Sequence, residues 1–299
     1  MDNITLATIN AALSAHPYFS VAIHFVFCAC LGSYFNLFAW RWPQIQERNW
    51  LADVRAWFKD KGWPEPQAQL DIPDNLSLSL PRSFCPRCKT PISPLYNIPI
   101  LGWLLLRGKS ACCKTSISIA YPGYELFCGL LGAFAWMHFQ EAGAAWVFLL
   151  LALPLCMASQ TDFESMMLPD GITFFILFSG LGLSIFYPTF PLEAKMSFGG
   201  MAAAFVVLAT IRVVGSAAFK REAMGQGDPK LFAAIGAWIG PHSIPQALVF
   251  AALSALVYGL VMKILGKHKN GSPVPFGPFL ALGGAASFVW PQALARLLG

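Results

Sequence analysis

Long apolar runs limit the possible folds of this sequence more than any other feature. A helix that crosses the hydrocarbon layer needs about 20 apolar residues, with a range of roughly 17–25. Eight apolar runs occur, at residues 19–40, 121–139, 144–159, 172–187, 198–214, 231–239, 247–265 and 276–289. The run 231–239 is too short by itself and would need its polar flanks or a break. We therefore expect an all-α integral membrane protein with about eight transmembrane helices.

The composition agrees with a chain that faces lipid. Only 12% of the 299 residues are charged, against about 25% in an average soluble domain. The 25 Phe and 10 Trp residues suit the aromatic belts found at membrane interfaces. The first run lacks a basic n-region and a cleavage site of small residues. It is therefore expected to be a retained span and not a signal peptide.

The positions of Lys and Arg predict the orientation, because basic residues concentrate in cytoplasmic loops. Eleven of the twenty lie between Arg41 and Lys114. With this segment inside the cell, only Lys195 and Arg296 fall on the opposite side. Both termini would then face away from the cytoplasm. Since this rule accounts for the net charge of +5, a nucleic-acid partner is not implied.

One sizeable polar insertion separates the first two runs. It divides the chain into a first transmembrane helix at 1–43, a cytoplasmic insertion with a cysteine cluster at 44–118, and a helix bundle at 119–299. The stretch 44–66 mixes Trp with charged residues. It predicts a helix on the membrane surface that ends at Pro64 and Pro66.

Two acidic sites flank the later runs, and both fall on the cytoplasmic face. The first contains Asp162, Glu164 and Asp170, and the second is Gly225-Gln226-Gly227-Asp228 followed by Lys230. Ionisable residues beside spans are costly and mark functional sites. Two carboxylates brought together could share one proton, so that one activates water while the other protonates the leaving group.

This pattern leaves other interpretations open. An acid at the end of a span is often solvated or paired, and Lys230 lies two residues after Asp228. A cation transporter that uses Asp162 and Asp228 as ion ligands is an alternative of another class. Transporters, however, tend to place acids at the membrane midplane within repeated halves, and neither feature is evident here. The glycines 225 and 227 would let a substrate backbone approach Asp228, which favours the protease.

Cys85 and Cys88 form a Cys-x-x-Cys pair in the insertion. In a reducing compartment such a pair indicates a metal site before a disulfide. A tetrahedral zinc site needs two further ligands, and Cys112 and Cys113 are the candidates in the same insertion. The alternatives are free thiols, or three sulfurs with another ligand.

An ordered set of motifs resembles the type IV prepilin peptidase family, whose members carry a Gly-x-Gly-Asp signature. That signature matches residues 225–228 and continues to residue 240. The other matches are residues 32–36 with Arg41 and Pro43, residues 85–88, 97–99, 162–170 and 275–279. Presenilin-like proteases share the Gly-x-Gly-Asp element, but the rest of the set is similar to the pilin enzymes.

The resemblance implies a bifunctional enzyme in the bacterial inner membrane. Such an enzyme cleaves the leader peptide of type IV prepilins and pseudopilins at the cytoplasmic face. It then methylates the new N-terminal residue with S-adenosyl-L-methionine. The family's catalytic pair falls on Asp162 and Asp228, which makes 119–299 a membrane aspartyl protease bundle. A peptidase without methyltransferase activity is the first alternative.

The resemblance also implies roles for residues outside the protease site. The candidates for methyl transfer are Gly32, Ser33, Asn36, Arg41 and Glu125. Helix packing is the alternative role for these residues, because small and polar residues commonly join membrane helices. No residue pattern locates the methyl-donor site itself.

The family often has a second Cys-x-x-Cys about twenty-five residues after the first. Here Ser110 stands in the third cysteine's place, Cys113 in the fourth, and Cys112 is displaced between them. We expect a structural zinc ion on Cys85, Cys88, Cys112 and Cys113. Two adjacent cysteines would need local backbone strain to reach one ion.

Overall fold

The computed structural model describes residues 13, 15–68, 70, 72, 73, 75–220, 222, 224–266, 274–291, 293 and 296. Its helices are α1 (Pro17–Asp60), α2 (Leu101–Leu105), α3 (Ala120–Phe139), α4 (Ala142–Ser165), α5 (Asp170–Phe186), α6 (Ala194–Phe219), α7 (Gly227–Ile239), α8 (Ile244–Ile264) and α9 (Gly277–Val289). All but the five-residue α2 coincide with the eight apolar runs. Within the described residues no strand forms beyond two isolated bridges, so the expectation of an all-helical protein is confirmed.

Four of the described helices are long and apolar enough to cross a membrane. These are α1, α4, α6 and α8, the last together with the 3-10 turn that precedes it. The helices α5 and α9 are apolar but shorter. At 1.5 Å per residue, the 13 residues of α7 span only about 20 Å, less than the ~30 Å hydrocarbon layer. The predicted count of eight crossings is therefore not confirmed.

The first helix is longer than the sequence indicated. α1 runs without interruption for 44 residues from Pro17 to Asp60, with Pro43 inside it. The expectation of a separate helix from residue 44 was therefore wrong, and α1 already ends before Pro64. A proline inside a helix removes one backbone hydrogen bond. Beside it, the Gln44 side chain donates to the carbonyl of Trp40 at 2.6 Å.

The described part of the chain separates into two compact units, at 11–137 and at 138–299. We call them the N-terminal unit and the C-terminal unit. The sequence placed boundaries after residues 43 and 118, and those domain limits stay a prediction.

In the N-terminal unit, glycines bring α1 against α3. A Cβ at Gly32 would lie 2.9 Å from Cys128 Cβ, and a Cβ at Gly132 would lie 2.6 Å from Cys28 Sγ. Neither glycine has room for a side chain. Small residues at such crossings let membrane helices approach closely.

In the C-terminal unit, α7 forms the centre of the core. Every residue from Leu231 to Ile239 is buried. The helix packs on α6 where Gly200 meets Gly236, and on α5 where Gly180 faces the Trp238 ring. The Trp238 Nε1–H group donates to the carbonyl of Ile176 at 2.7 Å. The buried helix thereby fixes the position of Asp228 in its first turn.

Candidate active site and cysteine cluster

Asp162 and Asp228 come from different helices of the C-terminal unit. Asp162 lies in the last turn of α4 and Asp228 in the first turn of α7. Each residue is only 5% exposed. They are close enough for the charge of one carboxylate to act on the other. The two acids predicted from the sequence as a pair are thus brought together by the fold.

Glycine backbone lies against both carboxylates. The N–H of Gly277, at the start of α9, donates to Asp162 Oδ2 at 3.0 Å. The backbone of Gly225 approaches the Asp228 carboxylate, since a Cβ at that glycine would lie 3.4 Å from Asp228 Oδ2. Gly277 was quoted from the sequence only as part of the motif at 275–279, and its role as a partner of Asp162 was missed. The match of residues 275–279 to a motif of the family was the signal that could have pointed to it.

Leu168 fills the space between these segments. Its Cβ would lie 3.0 Å from a Cβ at Gly227, and its Cδ2 would lie 3.1 Å from a Cβ at Gly277. A Cβ at Gly277 would also lie 2.8 Å from Asp162 Oδ2. Gly227 and Gly277 therefore serve the packing around the acids. The approach of a substrate backbone at Gly225 and Gly227 stays a prediction.

The neighbouring charged residues make contacts with groups other than the two aspartates. Lys230 Nζ contacts Asp170 Oδ1 at 2.8 Å, and both side chains are substantially exposed. Glu164 is exposed and accepts a hydrogen bond from Gln160. Lys230 consequently does not neutralise Asp228, and the interpretation of Asp228 as half of a simple ion pair loses its support.

This arrangement suits general acid–base chemistry. Two buried carboxylates that feel each other's charge do not ionise independently, because the first charge opposes the second. One carboxylate can then accept a proton while the other donates one. In the described residues of the site, neither a serine–histidine pair nor a cysteine accompanies the two acids, so nothing there points to a covalent intermediate.

The four cysteines of the insertion come together in the N-terminal unit. Their Sγ atoms all lie within 4.8 Å of one another. Cys88 and Cys112 are 3.1 Å apart, and Cys85 and Cys113 are 3.7 Å apart. Four sulfurs around one zinc ion at about 2.3 Å would be about 3.8 Å apart. The cluster therefore fits a metal ion, and the identity of that metal as zinc stays a prediction.

Two segments of the cluster have the same local backbone structure, twenty-five residues apart. Lys89 N donates to Cys85 O and Lys114 N to Ser110 O, while Cys85 N and Ser110 N donate to Thr90 O and Thr115 O. Lys89 and Lys114 both have positive φ, at 58° and 56°. Ser110 thus occupies the place equivalent to Cys85. The adjacent Cys112 supplies the fourth sulfur.

Hydrogen bonds make some of these thiols more acidic. Contacts with Ser110 and Thr115 lower the pKa of Cys113 to about 5. A contact with Thr90 lowers the pKa of Cys88. The hydrogen bond between Cys112 and Cys88 raises the pKa of Cys112 to about 11. The thiolate is the form that binds metal, so Cys113 and Cys88 are prepared for that role.

The methyl-transfer candidates all lie in the N-terminal unit. Asn36 donates to the carbonyl of Tyr121 at 3.2 Å, and Ser33 is half-buried on α1. Glu125 Oε2 accepts the N–H of Ile100 at 2.7 Å, where Ile100 has a φ of 63°. With Gly32 at the α1–α3 crossing, three of these four candidates have packing or positioning contacts. Arg41 lies on the last buried turn of α1, and its contacts are described below.

The chain is similar along nearly its whole length to known proteins. The profile described as "Bacterial Peptidase A24 N-terminal domain" matches residues 26–139, and that described as "Type IV leader peptidase family" matches residues 148–260. The "Prepilin leader peptidase/N-methyltransferase" of Aeromonas salmonicida is 34% identical over 280 residues, which cover 94% of both chains. The chain belongs to the type IV leader peptidase family.

Other relatives support the membership. The enzyme of the same name from Stutzerimonas stutzeri is 33% identical over 278 residues, covering 93% of both chains. The "Type 4 prepilin-like proteins leader peptide-processing enzyme" of Escherichia coli O78:H11 is 34% identical over 264 residues, covering 88% of this chain and 91% of the relative. No solved structure gives a significant match. The two family profiles fall on the N-terminal and C-terminal units respectively.

Proposed function

We propose that this chain is a prepilin leader peptidase and N-methyltransferase. It cleaves the leader peptide of type IV prepilins and pseudopilins, and it methylates the new N-terminal residue. The relatives are named for both activities, and the chain covers more than nine-tenths of these proteins. That coverage favours the bifunctional enzyme over a peptidase that has lost methylation.

The observation that best supports the protease is the pair of buried carboxylates, Asp162 and Asp228, of which Asp162 accepts a hydrogen bond from the N–H of Gly277. One carboxylate takes a proton from water as the water oxygen attacks the carbonyl carbon of the scissile peptide bond. The other carboxyl group gives its proton to the amide nitrogen as the C–N bond breaks. We assign these two roles to the pair without dividing them between its members.

The setting of the enzyme is the bacterial inner membrane, with the dyad on the cytoplasmic side. The positive-inside bias of the insertion supports this orientation. S-adenosyl-L-methionine supplies the methyl group. A zinc ion on the four clustered cysteines has a structural role, because a small metal site contributes folding energy directly. The partners are therefore the lipid bilayer and prepilin or pseudopilin substrates.

Asparagine substitutions test the dyad. Asp162→Asn and Asp228→Asn keep the shape and hydrogen bonding of each side chain but remove the ionisable group. Each should lower prepilin cleavage by the purified enzyme by a factor on the order of a thousand or more, and the double variant should lose little further. Cleavage is measured by mass spectrometry of a matched prepilin.

Two exposed acids of the same region serve as controls. Glu164→Gln and Asp170→Asn should keep cleavage within about threefold, because an exposed ion pair such as Asp170–Lys230 contributes little. Substantial cleavage by either dyad variant would overturn the assignment. Ion transport in proteoliposomes, lost in both dyad variants and accompanied by no proteolysis, would instead identify the cation transporter.

A further inference from the structure

The N-terminal unit contains a cavity beside Arg41. Its volume is about 310 Å³, and five of its lining residues are polar, namely Arg41, Ser79, Arg82, Ser83 and Asn97. Small-molecule sites begin at about 300 Å³, so the space is large enough for a compact ligand. No carboxylate is among the described residues that line it.

Arg41 makes one wall of this cavity positive. The residue is only 2% exposed, and its Nη1 and Nη2 atoms donate to the carbonyls of Ser77 and Pro81, both at 2.8 Å. Its Nε atom is buried and finds no acceptor among the described residues. Among the described residues no carboxylate forms an ion pair with it. Taking a cation out of water is costly, and an anionic ligand would offset that cost.

Arg82 adds a second guanidinium at the same cavity, and this one is exposed. Two such charges in a concave site attract an oxyanion. The planar guanidinium fork matches a carboxylate or phosphate with two parallel hydrogen bonds. The hydroxyls of Ser79 and Ser83 and the amide of Asn97 add neutral hydrogen-bonding groups, and Leu37 and Ile92 add apolar surface.

We propose that this cavity binds the methyl donor, with Arg82 holding the carboxylate of its amino-acid end in the field of Arg41. The inference rests on the proposed methyltransferase function, which requires a site for such a molecule. The neutral polar groups suit the ribose hydroxyls, and the apolar side chains suit the adenine base. Leu37 and Arg41 lie one turn apart on α1, the helix that also carries Gly32, Ser33 and Asn36.

A pair of ligands isolates the proposed carboxylate contact. S-adenosylhomocysteine carries the amino-acid end, whereas 5′-methylthioadenosine is the same nucleoside thioether without it. Binding of both is measured by calorimetry with the full-length protein in phosphatidylcholine nanodiscs. Arg82→Gln should weaken the binding of S-adenosylhomocysteine by about tenfold or more. It should leave the affinity for 5′-methylthioadenosine unchanged. Lys59→Gln removes one exposed charge from the same unit away from the cavity, and should leave both affinities unchanged.

Three results would overturn the proposal. The first is unchanged affinity of Arg82→Gln for S-adenosylhomocysteine. The second is an equal loss of affinity for both ligands, which would indicate a structural effect of the substitution. The third is competition by inorganic phosphate or by phosphatidylglycerol added to the nanodiscs, with no dependence of S-adenosylhomocysteine binding on Arg82. That result would assign the cavity to a phosphate group.

Failure of the proposed function is distinguishable in the same preparation. If the wild-type protein methylates a processed pilin and binds S-adenosylhomocysteine while Arg82→Gln binds it equally well, only the cavity assignment is wrong. If the wild-type protein cleaves prepilin but neither methylates it nor binds S-adenosylhomocysteine, the methyltransferase function itself is wrong.

Discussion

Gly277 positions Asp162 through a backbone group and has no side chain that chemistry could use. Its N–H donates to Asp162 Oδ2 at 3.0 Å, and a Cβ at this position would lie 2.8 Å from the same oxygen. The site thus needs a glycine because the backbone itself approaches the carboxylate. The physical requirement is close contact and not backbone flexibility.

We expect Gly277→Ala to lower cleavage by about ten- to a hundredfold, because displacing a catalytic group by a fraction of an ångström is costly. The methylation of a pilin that has already been processed should be unaffected. Gly182→Ala in α5 is the matched control, since nothing lies within 4 Å of a Cβ at that position. Wild-type cleavage by Gly277→Ala would show that the contact with Asp162 has no catalytic importance.

At the scale of elements, the two segments of the cysteine cluster share hydrogen bonds and the positive φ of Lys89 and Lys114. The second segment lacks a cysteine at residue 110, and Cys112 lies within the cluster instead. Ser110 also contacts the cluster, since its Oγ is 3.2 Å from Cys113 Sγ. The shared backbone structure makes positions 110 and 112 alternative sources of the fourth ligand.

A rescue experiment tests this equivalence. Cys112→Ser should lower the zinc content of the purified enzyme, measured by elemental analysis, from about one ion per chain to well below one. The double variant Ser110→Cys with Cys112→Ser should restore it, because residue 110 stands where Cys85 stands in the first segment. Cys30→Ser, an exposed cysteine on α1, is the control. A wild-type enzyme that is active without any metal would leave the four cysteines as free thiols.

At the scale of the whole molecule, the N-terminal unit carries the cysteine cluster and the methyl-transfer candidates, and the C-terminal unit carries the dyad. Eleven basic residues lie between Arg41 and Lys114, so the insertion should be cytoplasmic. Lys267 and Lys269, which contribute to the same bias, lie outside the described residues.

Reporter fusions test this topology. A fusion at Arg87 should be active only with a cytoplasmic reporter, and one at Asp2 only with an extracytoplasmic reporter. A fusion at Gly271, which also lies outside the described residues, should behave as the fusion at Arg87 does. An extracytoplasmic Arg87 would overturn the orientation and, with it, the access of the dyad to a cytoplasmic leader peptide.

The sequence by itself determined the helical elements and indicated which two acids the fold would bring together. Apolar runs predict membrane helices because lipid offers no hydrogen-bond partner to the backbone, whose groups must then bond to one another. All eight runs form helices. The motifs around Asp162 and Asp228 singled out these two residues among fifteen acids. Apolar runs and short motifs consist of residues that are close together in the sequence, so they can be recognised without knowledge of the fold.

Only the tertiary structure decided which groups meet. The hydrogen bond from Gly277 to Asp162 joins residues 115 positions apart. The ion pair of Lys230 with Asp170, and not with Asp228, depends on where α5 and α7 begin. The same is true of Arg41 and Arg82, which line one cavity because the loop after α1 returns to its side. Such contacts result from packing between distant segments, and packing depends on the volume and position of all neighbours together.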